Sequence, residues 1–234
     1  MSLSSREKIL SAVELALGFP PKDPSLIQPG PGPQQVAWVP AQEPWEPLQK
    51  ELEALSARFH RVETLEQFPA VLEGILKDHQ VKSSLCWEHP LLEKLRVKKL
   101  LREANVELID FTEPLGFVQK AAGVDLGITA AECAIVESGA LMVRASEGWP
   151  RAASLLPPVH VAVLTARQRI RSVGELVPIW REWLSSQGLL PSGIHLITGP
   201  SRTADIELTL VLGAHGPKVL HVVALDEKAI PEDT

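Results

Sequence analysis

The sequence predicts an α/β domain built on a mostly parallel sheet, with helices on both faces. Over residues 59–110 the apolar spacing alternates between strand and helix periods in the order strand, helix, strand, helix, strand, the pattern of a sheet wound through crossover helices. Residues 160–165 form an unbroken apolar run, which a strand buried on both faces requires. With 234 residues, 45% of them hydrophobic, the chain can bury a sizeable core.

Each element follows from its local pattern. Residues 4–17 place Ile9, Leu10, Val13 and Leu17 on one stripe, so an amphipathic helix is expected there, its apolar face covered by its own domain or by a second subunit. Residues 20–47 hold nine of the twenty prolines, and few such backbones can enter a helix or a central strand. Residues 1–45 therefore read as a helix and a Pro-rich arm, and residues 46–234 as the α/β domain. A helix over 48–58 leads to a strand at 59–62. The next helix carries Leu65, Phe68, Leu72, Ile75 and Leu76 behind a Thr64 to Gln67 capping box, with Pro69 moving its start later. A strand at 83–87, a helix over 91–103 and a strand at 106–110 complete the first half.

The second half opens with a strand at 125–130 and a hairpin over 134–144 that turns at Ser138-Gly139. After the buried strand, a Ser172 to Glu175 capping box opens a helix with Val173, Leu176, Val177, Trp180, Trp183 and Leu184 inward. A strand at 195–198 precedes a loop. Residues 204–212 carry conflicting signals: Ile206, Leu208, Leu210 and Leu212 alternate as in a strand, while the preceding loop could cap a helix, and the alternation leans to strand.

Composition removes several function classes. A net charge of −6 and a pI near 5.7 give no electrostatic footprint for nucleic acid. Two cysteines, Cys86 and Cys133, cannot supply a four-cysteine iron–sulfur site or a CxxC framework. Glu7 and Glu14 interrupt the first apolar segment and no run reaches the roughly 20 residues of a membrane span, so a cytoplasmic protein is expected. No GxxxxGK[ST], GxGxxG or HExxH motif occurs, and no cofactor is bound by an evident motif.

The densest chemistry lies in residues 197–225. Gly199, Pro200, Ser201, Arg202 and Thr203 offer a tight turn, two hydroxyls and a guanidinium in five residues, equipment suited to a carboxylate or phosphate. Arg202 could equally pair with Asp205 or Glu207. A second loop at 213–217 adds His215 between Gly213 and Gly216, where a ligand can approach closely and a proton can be exchanged near neutral pH. The remaining histidines read as structural.

The segments GPSRTADIE, GAHGP and GITAAECAIVESGALMV resemble the LUD domain family, of the lactate utilization protein C type. The resemblance implies a three-layer α/β/α fold like that of the sugar-phosphate isomerase and CoA-transferase group. It implies a component of a multi-protein system oxidising L-lactate to pyruvate, whose iron–sulfur clusters reside on partner proteins. Whether this chain is itself an enzyme stays open. The Glu-Ser-Gly order at Glu137 is loosely similar to the element around the nucleophilic glutamate of CoA-transferases, so Glu137 and His215 are the candidates for chemistry. Gly199, Ser201, Arg202, Thr203 and Gly216 are the anion-binding candidates, and Arg151, in a block resembling the family's Arg-to-Pro segment, adds a second cation. Two other readings stand beside this one: a free-standing transferase, isomerase or ligase acting on an acyl-CoA, sugar phosphate or folate-like anion, and a non-catalytic subunit assembling through its N-terminal helix.

Overall fold

Six parallel strands form the spine of the chain: β1 (Arg58–Val62), β2 (Ser83–Cys86), β3 (Glu107–Leu108), β4 (Leu126–Ala130), β7 (Val159–Thr165) and β12 (Val219–Leu225), in the order β1-β12-β7-β4-β2-β3. The computed structural model describes residues 35–111, 117–187, 191–204, 210–213 and 215–230. The helix expected over 4–17 lies outside the described residues. The sheet is mostly parallel and flanked by helices, as the sequence predicts.

Why the central strands read as unbroken apolar runs is visible in their two faces. Val161, Val163, Val223 and Leu225 join one buried cluster, with Leu72 and Ile75 of α2 (Phe68–Asp78) and Leu101 of α4 (Val97–Glu103). Ala162, Leu164, Val222 and Ala224 face the other way, against Leu48 and Leu52 of α1 (Glu46–Ala54). Alternate side chains thus serve opposite cores, and the buried polar residues Thr129, His160 and His221 are paired with one another or with other histidines.

A second sheet, of order β8-β5-β6-β9, packs beside α1. It contains the predicted hairpin, β5 (Cys133–Ile135) and β6 (Ala140–Ala145), joined through Gly139 at φ 65°. Its edges are β8 (Arg169–Ile170), parallel to β5, and β9 (Gly193–Ile197), antiparallel to β6. Helix α7 (Leu176–Gln187) covers its outer face with Leu176 and Ile179. Three further short helices are α3 (Pro90–Lys94), α5 (Phe117–Ala122) and α6 (Ala152–Leu155).

Three local expectations need correction. The helix expected over 91–103 is two helices, α3 and α4, because Arg96 takes a left-handed backbone at φ 54° and breaks the hydrogen-bond ladder between them. Ser172 does not cap α7; the Val173 amide donates to the Glu137 carboxylate at 2.8 Å instead. Val173, Val177 and Leu184 are 54%, 43% and 51% exposed, because the buried stripe runs through 176, 179, 180 and 183 and leaves those three on its flank. The capping interaction at Gln67 forms: its Oε1 accepts from the Glu63 and Thr64 amides at 2.8 and 3.5 Å, and α2 begins one residue later with Pro69 in its first turn.

Residues 38–45 are fastened to this body by a Trp38–Ile170 bridge, the Val39 amide on Arg169 O, the Arg171–Glu43 ion pair, the Trp45–Asp226 hydrogen bond and one buried side chain. Arg169, 1% exposed, donates to the carbonyls of Pro40, Ala41, Glu43 and Pro44 and stacks on Trp45 at 4.2 Å.

Candidate functional site

The two glycine-bearing loops come together. β10 (Arg202–Ala204) and β11 (Leu210–Leu212) pair antiparallel, with Arg202 opposite Leu212, so the lean toward strand holds at both ends of 204–212; residues 205–209 lie outside the described residues. The Ser201 amide donates to Pro217 O and the Gly213 amide to Ser201 O, both at 2.9 Å. Ser201, Arg202, Gly213, His215 and Gly216 thereby form one surface, on which Arg202 and His215 are exposed.

Gly199 fixes where that surface lies. Its φ is 99° and a Cβ there would stand 2.6 Å from Leu55 O, so only glycine lets the loop lie on the end of α1. Arg202 Nη2 donates to the same Leu55 carbonyl and, at 2.8 Å, to Ser56 Oγ. One of its amino groups is thus already engaged by the α1 terminus; Asp205 and Glu207, the ion-pair partners considered for it, lie outside the described residues. Thr203 lies within β10, opposite Val211.

The loops follow the carboxyl end of β9, but β9 belongs to the mixed sheet. Relative to the parallel sheet they lie at its amino edge, beside Pro158, which precedes β7 and whose carbonyl accepts from the Lys218 and Val219 amides. The other candidates are dispersed. Glu137 is exposed in the β5–β6 turn and caps Val173. Arg151, also exposed, precedes α6 and lies against Gly193 at the start of β9, the end opposite Gly199. Asp125 is a latch: its Oδ2 accepts from the Lys82 and Ser83 amides and from Ser83 Oγ at 2.9 to 3.0 Å.

A second polar cluster lies at the carboxyl edge, beyond β2 and β4. From β2 the chain goes to β3 on one side and then to β4 on the other, the switch of direction at which open α/β sheets leave a crevice. Glu132 follows β4, and its Oε1 accepts from Arg144 Nε at 2.5 Å. The Arg144 guanidinium lies 4.8 Å from the Trp149 ring and 4.9 Å from the Trp183 ring. His89, after β2, packs on Trp149 at 4.8 Å. Burial, aided by the nearby Arg144 charge, pushes its pKa down to about 4. Sequence reasoning missed Arg144 because its partners are 12, 5 and 39 positions away; the only local signal was a charge at the end of an apolar strand.

Three histidines form a chain. His221, 1% exposed, shares Nδ1 with His60 Nε2 at 2.8 Å and Nε2 with His79 Nε2 at 2.9 Å. Because the two nitrogens of His221 point in different directions, the three rings do not converge on one ligand point. Burial lowers the pKa of all three, that of His221 to about 3. Among the described residues no group of three His, Cys, Asp or Glu side chains is placed to hold a metal ion. Cys86 and Cys133 are unpaired and lie in different buried clusters, with thiols pushed up to about 12 by burial.

Comparison with known proteins agrees with this architecture. The model of the LUD domain matches residues 46–225. The chain belongs to the LUD domain family. Lactate utilization protein C of Halalkalibacterium halodurans is 31% identical over 71% of either chain, and that of Shouchella clausii is 30% identical over 75% of this chain and 76% of its own. The crystal structure of a DUF162 family protein from Deinococcus radiodurans superposes with a TM-score of 0.54, covering 80% of this chain and 99% of that one; at 17% identity it supports the fold alone. Among the described residues no helix is long and apolar enough to cross a membrane.

Proposed function

We propose that the chain is a component of a multi-protein system that oxidises L-lactate to pyruvate, and that it contributes a small-anion site on the paired loops bearing Ser201 and His215. The family match over residues 46–225, with relatives named for lactate utilization, carries this reading. The chemistry supports a division of labour. Converting the hydroxyl carbon of lactate to the carbonyl of pyruvate releases two electrons and two protons, which need an acceptor. The two thiols here are separately buried and protonated, so electrons would pass to clusters or cofactors on partner proteins. Iron–sulfur proteins are the partner class that fits.

In this reading the exposed Arg202 guanidinium, with the Ser201 hydroxyl and backbone at Gly199, Thr203 and Gly216, meets the carboxylate, while His215 handles a proton. Glu137, which accepts from the Val173 amide, and Arg151, at the opposite end of β9 from Gly199, lie apart from these loops. Arg202→Ala is expected to weaken lactate or pyruvate binding about tenfold or more, the cost of one charged hydrogen bond. A change below about threefold removes the loops from the ligand site. Deleting the chain from its native host should abolish growth on L-lactate and spare growth on pyruvate; equal growth on both would end the lactate role.

A further inference from the structure

We propose a second binding site, for a small carboxylate, in the cluster beyond the carboxyl ends of β2 and β4, with Arg144 as its anchor and His89 as the neighbouring donor. The assignment rests on the geometry of the side chains around Arg144 and is independent of the paired loops at the opposite edge of the sheet.

Arg144 is built as a fixed fork. Its side chain is 17% exposed, flanked by the Trp149 and Trp183 indoles, and held through Nε by Glu132. No described residue takes its two terminal amino groups. A guanidinium clamped by aromatic rings and bonded through Nε presents those two groups as a parallel pair, the geometry that receives both oxygens of a carboxylate. Glu132 fixes the fork and offsets its charge, so recognition rests on the geometry of the two free donors rather than on net field. A cavity of about 260 Å³ nearby is lined by Arg96, Lys98 and Lys99, of which Lys98 pairs with Glu88 at 3.0 Å and Lys99 with Glu103 at 3.6 Å. That cavity adjoins the Arg144 cluster through Trp87, which lines it and stacks on Trp149 at 5.8 Å.

His89 completes the constellation. Its Nδ1 accepts from the Leu91 amide at 3.2 Å, so the neutral ring carries its proton on Nε2. A neutral imidazole held against the same indole as Arg144 donates a hydrogen bond without adding charge. It suits an acceptor oxygen next to the carboxylate, as a 2-oxo or 2-hydroxy acid provides. The fork alone receives phosphate bidentately as well as carboxylate, so discrimination rests on the single neutral donor of His89, and inorganic phosphate is the competitor that tests it.

The test is a titration of the intact protein with pyruvate, acetate and inorganic phosphate, followed by tryptophan fluorescence and calorimetry, since Trp149 and Trp183 flank the binding fork. Saturable pyruvate binding is expected, with acetate weaker. Arg144→Lys should weaken pyruvate about tenfold or more at unchanged melting temperature, because the parallel pair of donors is lost. His89→Phe should reduce pyruvate affinity more than acetate affinity. If Arg144→Lys does not fold, the charge-neutral double variant Glu132→Gln with Arg144→Gln serves, and it too should lose binding. No saturable binding by the parent protein, unchanged affinity in either Arg144 variant, or phosphate competing as well as pyruvate would overturn the proposal. Because Arg202→Ala is scored separately, failure of the Arg144 cluster and failure of the loops are distinguishable.

Discussion

Arg169 shows how one side chain can decide the path of a distant segment. Its guanidinium is spent on four carbonyls of residues 40–44 and on the Trp45 ring, so a positive charge is buried on carbonyl dipoles. Arg169→Met would orphan those carbonyls and is expected to destabilise the protein by about 3 kcal/mol or more; urea unfolding measures it, with faster proteolysis within residues 38–45 as the accompanying sign. Gly199→Ala should cost about 1 to 3 kcal/mol, from the left-handed backbone and the 2.6 Å approach to Leu55 O. Thermal melts would detect it, and an unchanged melting temperature would mean that the loop does not lie on α1. At this scale the sequence identified the loop residues but not their partners. Arg202 bonds Leu55 and Ser56, and Glu137 bonds Val173, contacts that no local pattern announces.

The elements themselves were largely legible, because strand and helix periods are local. Residues 160–165 announced β7 through their unbroken apolar run, and Gln67 announced the start of α2 through its reach back to the chain. The break at Arg96 was not legible: the apolar spacing continues through it, and only packing of α3 and α4 on the sheet forces a left-handed turn there. Arginine in that conformation costs roughly 1 kcal/mol relative to glycine. Arg96→Gly is therefore expected to raise stability by about 0.5 to 1 kcal/mol, a sign that denaturant titration can read; a loss would mean that the side chain's contacts outweigh the backbone strain. The outer flank of α7 was misjudged for a related reason, since the sequence shows which residues are apolar but not how wide a stripe the small sheet can cover.

At the scale of the whole molecule, strand order was beyond the sequence. β1 lies beside β12, 161 positions away at the His60 to His221 contact, and that pairing creates the histidine chain. Each of its two contacts accommodates one proton, so the three rings can take up only one extra proton before two N–H groups must oppose each other. His60, His79, His89, His160 and His221 all have pKa values lowered by burial, to about 4 for His89 and about 3 for His160 and His221, from 6.5 in the unfolded chain. The unfolded state therefore binds more protons below pH 6.5, and stability falls as pH drops from there toward 3. Melting temperature should be nearly level above about pH 7.5, where all five are close to neutral in both states, and decline progressively below about 7; a level profile to pH 4 would contradict the buried-neutral assignment. The same long-range assembly separates the two candidate anion sites onto opposite edges of one sheet, so neither the lactate role nor its chemistry can be read from one loop alone. The most direct measurement is gentle affinity purification of the chain from its native host grown on L-lactate, with iron quantification and a lactate-dependent dye-reduction assay on the eluate. Co-elution with cysteine-rich iron–sulfur proteins and lactate-dependent reduction is the predicted result; an iron-free protein that elutes alone, without such activity, would contradict it.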